Sequence, residues 1–404
     1  MKIIHTSDWH MGSRMLEHAR TGEYESYLKW LLGLLEQERP DALLVSGDIF
    51  DTATPGEKTR ELYCEFLSKA DATGCRHIII TAGNHDGVAQ LDVAKPLLRR
   101  HHCTVVARLS SETAAECLVP VAGEHGAPVG LVCAVPFLRP SEVSLPQAEH
   151  ERQYSYVRGV AAVYQRVAEL AAEWKAEHPG LPVVAMGHLP VAGAEATAST
   201  RSLIGTLDVV DSDMFSPVFD YVALGHIHKP TQNTDARVLY CGSPLAVGPD
   251  ETKYEHGVLV AELTAGKRSV RSVAVPPPVH IVHAECHSRD ELDALVEKLR
   301  GEACTAWLSV EYHAGDLNTA QLNELLRGEL PEARVPIIRA AHIRPRAVRS
   351  RSADAPVERL SDFTTERVFC RRLDEFLDQH PEIAGQRADL LQLFNAVLSD
   401  IQNN

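Results

Sequence analysis

Five short clusters of metal-binding side chains, each closing a β-rich apolar run within the first 228 residues, constrain this chain more than any other feature. They read Asp8-Trp9-His10, Gly47-Asp48-Ile49-Phe50-Asp51, Gly83-Asn84-His85-Asp86, Gly187-His188 and Gly225-His226-Ile227-His228. The preceding runs are Ile3-Ile4, Leu43-Leu44-Val45, Ile78-Ile79-Ile80, Val183-Val184-Ala185 and Tyr221-Val222-Ala223-Leu224. Such runs predict buried strands whose C-terminal ends open into loops. Amphipathic stretches at 22–38, 56–72 and 89–100 predict helices between the first three. Alternating strand and helix predicts an α/β fold with a mainly parallel sheet, and such sheets bind ligands beyond the strand C-termini. All five clusters are therefore expected to converge on one edge.

The residue types point to two divalent ions. Ions about 3.5–4 Å apart need a bridging anion between them, and the Asp48 carboxylate, with two oxygens and a screening charge, suits that place. Asp8, His10 and one later histidine would complete one shell. Asn84, through its carbonyl oxygen, and two other histidines would complete the second. A mixed oxygen and imidazole shell without thiolate favours manganese, iron or zinc over calcium or magnesium. His85 is left over beside Asn84, where its imidazole can give a proton to a leaving oxygen or stabilise phosphoryl charge. Asp51, three residues after the bridge, is placed to orient that imidazole, as the acid does in hydrolase triads. Taken singly the pieces are weak. Asp8 alone reads as a strand-end cap, Asp51 as a turn residue, and Gly-His as an ordinary loop. His226-x-His228 is stronger, because an extended segment puts both imidazoles on one side. The ordered set of five has no comparable structural explanation.

Composition sets outer bounds. A chain of 404 residues has room for two or three domains, and its 24% charged and 45% hydrophobic content is that of an ordinary globular protein. No apolar stretch approaches the length of a membrane span. Met1-Lys2-Ile3-Ile4-His5 reads directly as a first strand, so no signal peptide is expected. Nine scattered cysteines without a Cys-x-x-Cys pair suit a reducing cytoplasm. The net charge of −15 does not suggest a DNA binder. One basic stretch stands apart, with Arg334, Arg339, Arg344, Arg346, Arg349 and Arg351 free of interleaved acids, and it reads as either a solvated linker or part of a nucleic-acid groove.

Ligand clusters and strands fill residues 1–275, including a helix predicted over 154–177. Pro276-Pro277-Pro278 marks a boundary. Beyond it, a β-α-β-α-β pattern predicts a small α/β domain over 276–344: strand 279–284, helix 288–299, strand 306–312, helix 317–328 and strand 335–343. Residues 345–360 read as a linker, and two apolar-faced helices at about 364–379 and 384–402 occupy the segment 361–404. Two helices alone cannot bury so many apolar groups, which suggests that they dock on a partner protein.

The motif order Asp-x-His, Gly-Asp-x-x-Asp, Gly-Asn-His-Asp, Gly-His, Gly-His-x-His resembles the calcineurin-like metallophosphoesterases. Their bacterial DNA-nuclease branch is resembled more closely still, through His5-Thr6-Ser7-Asp8-Trp9-His10-Met11-Gly12, Pro136-Phe137-Leu138-Arg139-Pro140, Ile204-Gly205-Thr206-Leu207-Asp208 and Tyr240-Cys241-Gly242-Ser243-Pro244. The resemblance implies a core of packed β-sheets flanked by helices, with a small DNA-capping domain and C-terminal helices. It implies Asp8, His10, Asp48 and His228 around one Mn2+, Asp48, Asn84, His188 and His226 around the other, and His85 as the catalytic histidine. It further implies an ATP-driven coiled-coil partner gripped by the C-terminal helices, two copies of each subunit, and cutting of DNA ends and hairpins. Two rivals remain. A phosphoesterase for small phosphoesters would use the same site but needs neither the second domain nor the apolar tail, and a metal-free scaffold would have lost ligands.

Overall fold

The computed structural model describes residues 1–343 apart from 17, 94, 99–101, 144–151, 195–208, 265–266, 302–305 and 331–334, and beyond them residues 373, 387, 390, 391 and 394. The chain divides into two compact units, Met1–Arg344 and Pro345–Asn404. The predicted linker at 345–360 and the two C-terminal helices lie outside the described residues, save isolated positions.

The apolar runs form strands buried on both faces, and two six-stranded sheets account for that burial. The first runs Lys267–Ala274, Gly257–Thr264, Lys2–Thr6, Ala42–Ser46, His77–Thr81, Cys103–Val106, parallel from Lys2–Thr6 onward and antiparallel before it. The second runs Thr231–Gln232, Val238–Tyr240, Tyr221–Gly225, Val183–His188, Pro128–Cys133, Leu118–Ala122, with a parallel centre and antiparallel margins.

Alternation along each strand sends its side chains to two cores. Ile3, Leu44 and Ile79 pack in one cluster with the second sheet and the helix Arg152–Glu177. Ile4, Leu43, Val45, Ile78 and Ile80 pack in another with helices Thr21–Glu38 and Glu57–Ala70. The unit is thus layered helix, sheet, sheet, helix. Helical turns at Val88–Val93 and Lys95–Leu98 lie within the helix expected over 89–100, whose remaining residues 94, 99 and 100 are outside the described ones.

The core consists of packed sheets, as the family resemblance implied, where the strand and helix pattern alone predicted one sheet, and this decides how the clusters meet. Asp8-x-His10, Asp48 and Asn84-His85 follow strands of the first sheet, whereas His188 and His226-x-His228 belong to the second. Packing the sheets face to face brings both sets of strand ends together.

Residues 280–342 form a third, three-stranded parallel sheet, His280–Cys286, Ala306–Tyr312 and Ile337–His342, with helices Arg289–Gly301 and Thr319–Glu329. It has its own core of Leu292, Val296, Leu308, Val310, Leu322 and Leu326. No helix among the described residues is long and apolar enough to cross a membrane.

Candidate metal centre

The first two loops of the centre are laced together beyond the ends of their strands. Asp8, His10 and Met11 donate their N–H groups to the carbonyls of Gly47, Asp48 and Ile49 at 3.0, 3.0 and 2.9 Å. This turns the backbone left-handed at Asp8, His10 and Asp48, with φ of 51°, 46° and 50°, and His226 has φ 94°. Four non-glycine residues in so sparsely populated a region, all at one place, mark a site whose geometry the surrounding fold imposes. Gly47, at φ 84°, allows that approach, since a methyl there would strike the His188 ring.

Seven donors converge. The His10 and His228 Nε2 atoms are 3.1 Å apart. Asn84 Oδ1 lies 3.0 Å from both His188 Nε2 and His226 Nδ1. Asp48 Oδ2 stands between the two groups, 3.6 Å from His10 Nε2 and 3.3 Å from His188 Nε2, and Asp8 can join either. Asp8, His10, Asp48, His188, His226 and His228 are all buried. Donors at right angles around one ion about 2.1 Å away are about 3.0 Å apart, so these spacings fit two divalent cations that share Asp48.

The electrostatics agree with that fit. Burial works against the Asp48 carboxylate, but His188, His10 and His85 outweigh it and hold the group well below the ordinary carboxylate range. Burial likewise works against a charged His188, yet Asp48 and Asp8 raise it to about 9. Two buried carboxylates thus create a demand for positive charge. Burial and the neighbouring His188 push His226 down to about 3, which keeps it neutral, the form in which imidazole coordinates a metal.

Two details differ from the sequence-based expectations. His226 and His228 do not share a side: the left-handed turn at His226 sends it to Asn84 and His188, while His228 faces His10. His85 is held by the main-chain carbonyl of Asp51, to which its Nδ1 donates at 2.8 Å. The Asp51 carboxylate approaches His10 Nδ1 instead, at 3.5 Å, and its charge raises the His85 pKa. In the basic stretch, Arg339 is paired with Glu311 at 2.9 Å, and the other five arginines lie outside the described residues.

Sequence reasoning also missed two supports. Asp86, buried, accepts N–H groups from Gly83, Phe50 and Ile49 at 2.8, 2.9 and 3.2 Å, clamping the second and third loops together. Glu251, fully buried, accepts from His228 Nδ1 at 2.7 Å and from the Val247 N–H at 2.8 Å. Asp86 was visible as the last letter of Asn-His-Asp. Glu251 stands 23 residues after its partner and belongs to no motif.

A helix–sheet–sheet–helix core with two sets of oxygen and imidazole donors around a shared carboxylate defines a metal-dependent phosphoesterase. Residues 1–230 match the family model described as calcineurin-like phosphoesterase. Among curated proteins, the SbcD subunit of the nuclease SbcCD from Escherichia coli K12 is 33% identical over 413 residues, which cover 98% of each chain. Its namesake from Rhodobacter capsulatus is 31% identical over 386 residues, 91% of this chain and 93% of that one. The one from Bacillus subtilis is 30% identical over 274 residues, 67% and 68% of the two chains. The chain belongs to the calcineurin-like phosphoesterases and, within them, to the SbcD family of nuclease subunits. It is a metal-dependent hydrolase of phosphodiester bonds.

Proposed function

We propose that the chain is the nuclease subunit of an SbcCD-type complex, cutting DNA as a 3′-to-5′ double-strand exonuclease and as an endonuclease on single strands and hairpins, in replication, recombination and repair. The observation that carries the reading is the sharing of Asp48 Oδ2 between two donor groups at coordination spacing. Asp8, His10, Asp48 and His228 would hold one Mn2+, and Asp48, Asn84, His188 and His226 the other. When bound, two such ions polarise the phosphate and activate a water for attack.

The remaining chemistry belongs to the chain. The Asp51 carbonyl only accepts hydrogen bonds, so it fixes the Nδ1 proton of His85. Nε2 is left as the position that carries the catalytic proton. The His85 N–H in turn donates to Asp48 Oδ1 at 2.9 Å, which ties the proton-handling residue to the bridging carboxylate. Burial and the nearby His10 lower the His85 pKa, which makes its protonated form a better acid toward a leaving oxygen.

Residues 276–344 would form the DNA-capping domain and 361–404 the grip on an SbcC-like coiled-coil ATPase, joined by the linker 345–360, with two copies of each subunit. A cytoplasmic setting agrees with the free state of all seven cysteines characterised among the described residues. Digestion of an end-labelled hairpin duplex in manganese, with and without the ATPase partner and ATP, tests the proposal. Opening of the hairpin and shortening of the duplex, the latter stimulated by partner and ATP, is the expected result. Hydrolysis of small phosphoesters with no cutting of DNA would favour the small-substrate alternative.

A further inference from the structure

We propose that the small α/β domain carries a third divalent-metal site, built from Glu285, His287 and His313 at the C-terminal edge of its parallel sheet. Strands His280–Cys286 and Ala306–Tyr312 run parallel, with Glu285 opposite Glu311 and Cys286 opposite Tyr312. The next residues along each strand, His287 and His313, are therefore neighbours. His287 follows Glu285 by two residues, just past the end of its strand. A donor atom from each of the three residues lies within 4.8 Å of the others, and the two imidazoles stack at 4.6 Å.

The backbone on which they sit is fixed. The His313 N–H donates to the Cys286 carbonyl at 2.8 Å, and the His287 N–H to Glu291 Oε2 at 2.7 Å. Beside the cluster, Glu311 is already paired with Arg339, whereas Glu285 has no hydrogen bond or ion pair among the described residues. His313 Nε2 is buried and has no hydrogen-bond partner among the described residues. An orphaned buried nitrogen is destabilising, and a cation would remove that penalty. Donors around one ion stand about 3–3.5 Å apart. Glu285 and His287 are exposed, so side-chain rotation alone closes the gap.

Two imidazoles and one carboxylate select zinc or cobalt over magnesium or calcium and leave a fourth position for water or a phosphate oxygen. A metal there would bind the ends of two strands to the start of helix Arg289–Gly301. None of the three residues belongs to the nuclease centre.

The test is a cobalt titration of the chelator-stripped full-length chain, followed by ligand-field absorption and metal content. Wild type is expected to take up three tight equivalents and His287→Gln/His313→Gln two. Asp48→Asn, which empties the nuclease centre, should keep one that Glu285→Gln weakens about tenfold. Two equivalents in wild type and none in Asp48→Asn would overturn the proposal while leaving the nuclease reading intact. So would a double variant that still binds three.

Discussion

Glu251→Gln isolates the most specific support in the metal centre. In the native chain one Glu251 oxygen accepts from His228 Nδ1 at 2.7 Å and the other from the Val247 N–H at 2.8 Å, in complete burial. A carboxylate only accepts, so the contact fixes the His228 proton on Nδ1 and directs the Nε2 lone pair toward His10 Nε2, 3.1 Å away. Glutamine keeps the shape and one accepting oxygen but loses the charge that makes the imidazole a stronger donor. Loss of such an outer carboxylate weakens metal binding by about 10–100-fold, or about 1.4–2.7 kcal/mol. Alanine would be a worse probe. It would leave two buried N–H groups unpaired at about 1–3 kcal/mol each, a large share of a typical stability of about 5–15 kcal/mol. Stepwise manganese titration by calorimetry on the apo chain, with melting temperature as the check on folding, should show one of two binding events weakened in Glu251→Gln. If both binding constants stay within about twofold of wild type in a folded variant, the positioning role is wrong.

Other consequences can be tested in parallel. Manganese should restore a chelated preparation better than magnesium, because imidazoles supply several donors and magnesium prefers a water-rich oxygen shell; equal activity in magnesium alone would contradict the ligand assignment. Deleting residues 361–404 should leave a folded, metal-binding nuclease that no longer co-purifies with its coiled-coil partner, and a deletion that aggregates or loses its metals would place the tail in the core. Burial holds His5, 3.0 Å from the Tyr221 hydroxyl, down at about 3 against an ordinary 6.5. The unfolded chain therefore takes up a proton there before the folded one does, and stability is lost as pH falls below about 6.5, by about 2 kcal/mol between pH 8 and pH 5. Chemical denaturation across that range should show a shallower dependence in His5→Gln than in wild type, and an unchanged slope would refute the assignment.

The centre was legible in sequence because its ligands follow strand ends, and a strand end carries its own signature of apolar run, glycine and polar residue. Asp48 and Asn84 were readable for this reason, and Asp8 from its apolar run and the spacing to His10. What could not be read was backbone direction after the strand. Extended geometry puts His226 and His228 on one side, but φ at His226 is 94° and separates them. The Asp51 contact to His85 was assigned to a carboxylate when the main chain makes it, a choice that sequence does not encode. Glu251 reaches His228 through tertiary packing alone. The packed sheets came from the family resemblance and not from the strand pattern, for a related reason: strands such as Val183–His188 look alike whether they extend one sheet or start another, and side-chain packing between Ile79, Leu44 and the strands opposite distinguishes the two.

Metal content and DNA cutting measured together on purified His85→Ala test the two-ion site and its separate proton-handling histidine most directly. Two manganese ions per chain at the nuclease centre are expected, as in wild type, with cutting slowed by about 10²–10⁴-fold. Loss of either ion in His85→Ala, or cutting at the wild-type rate, would contradict this assignment.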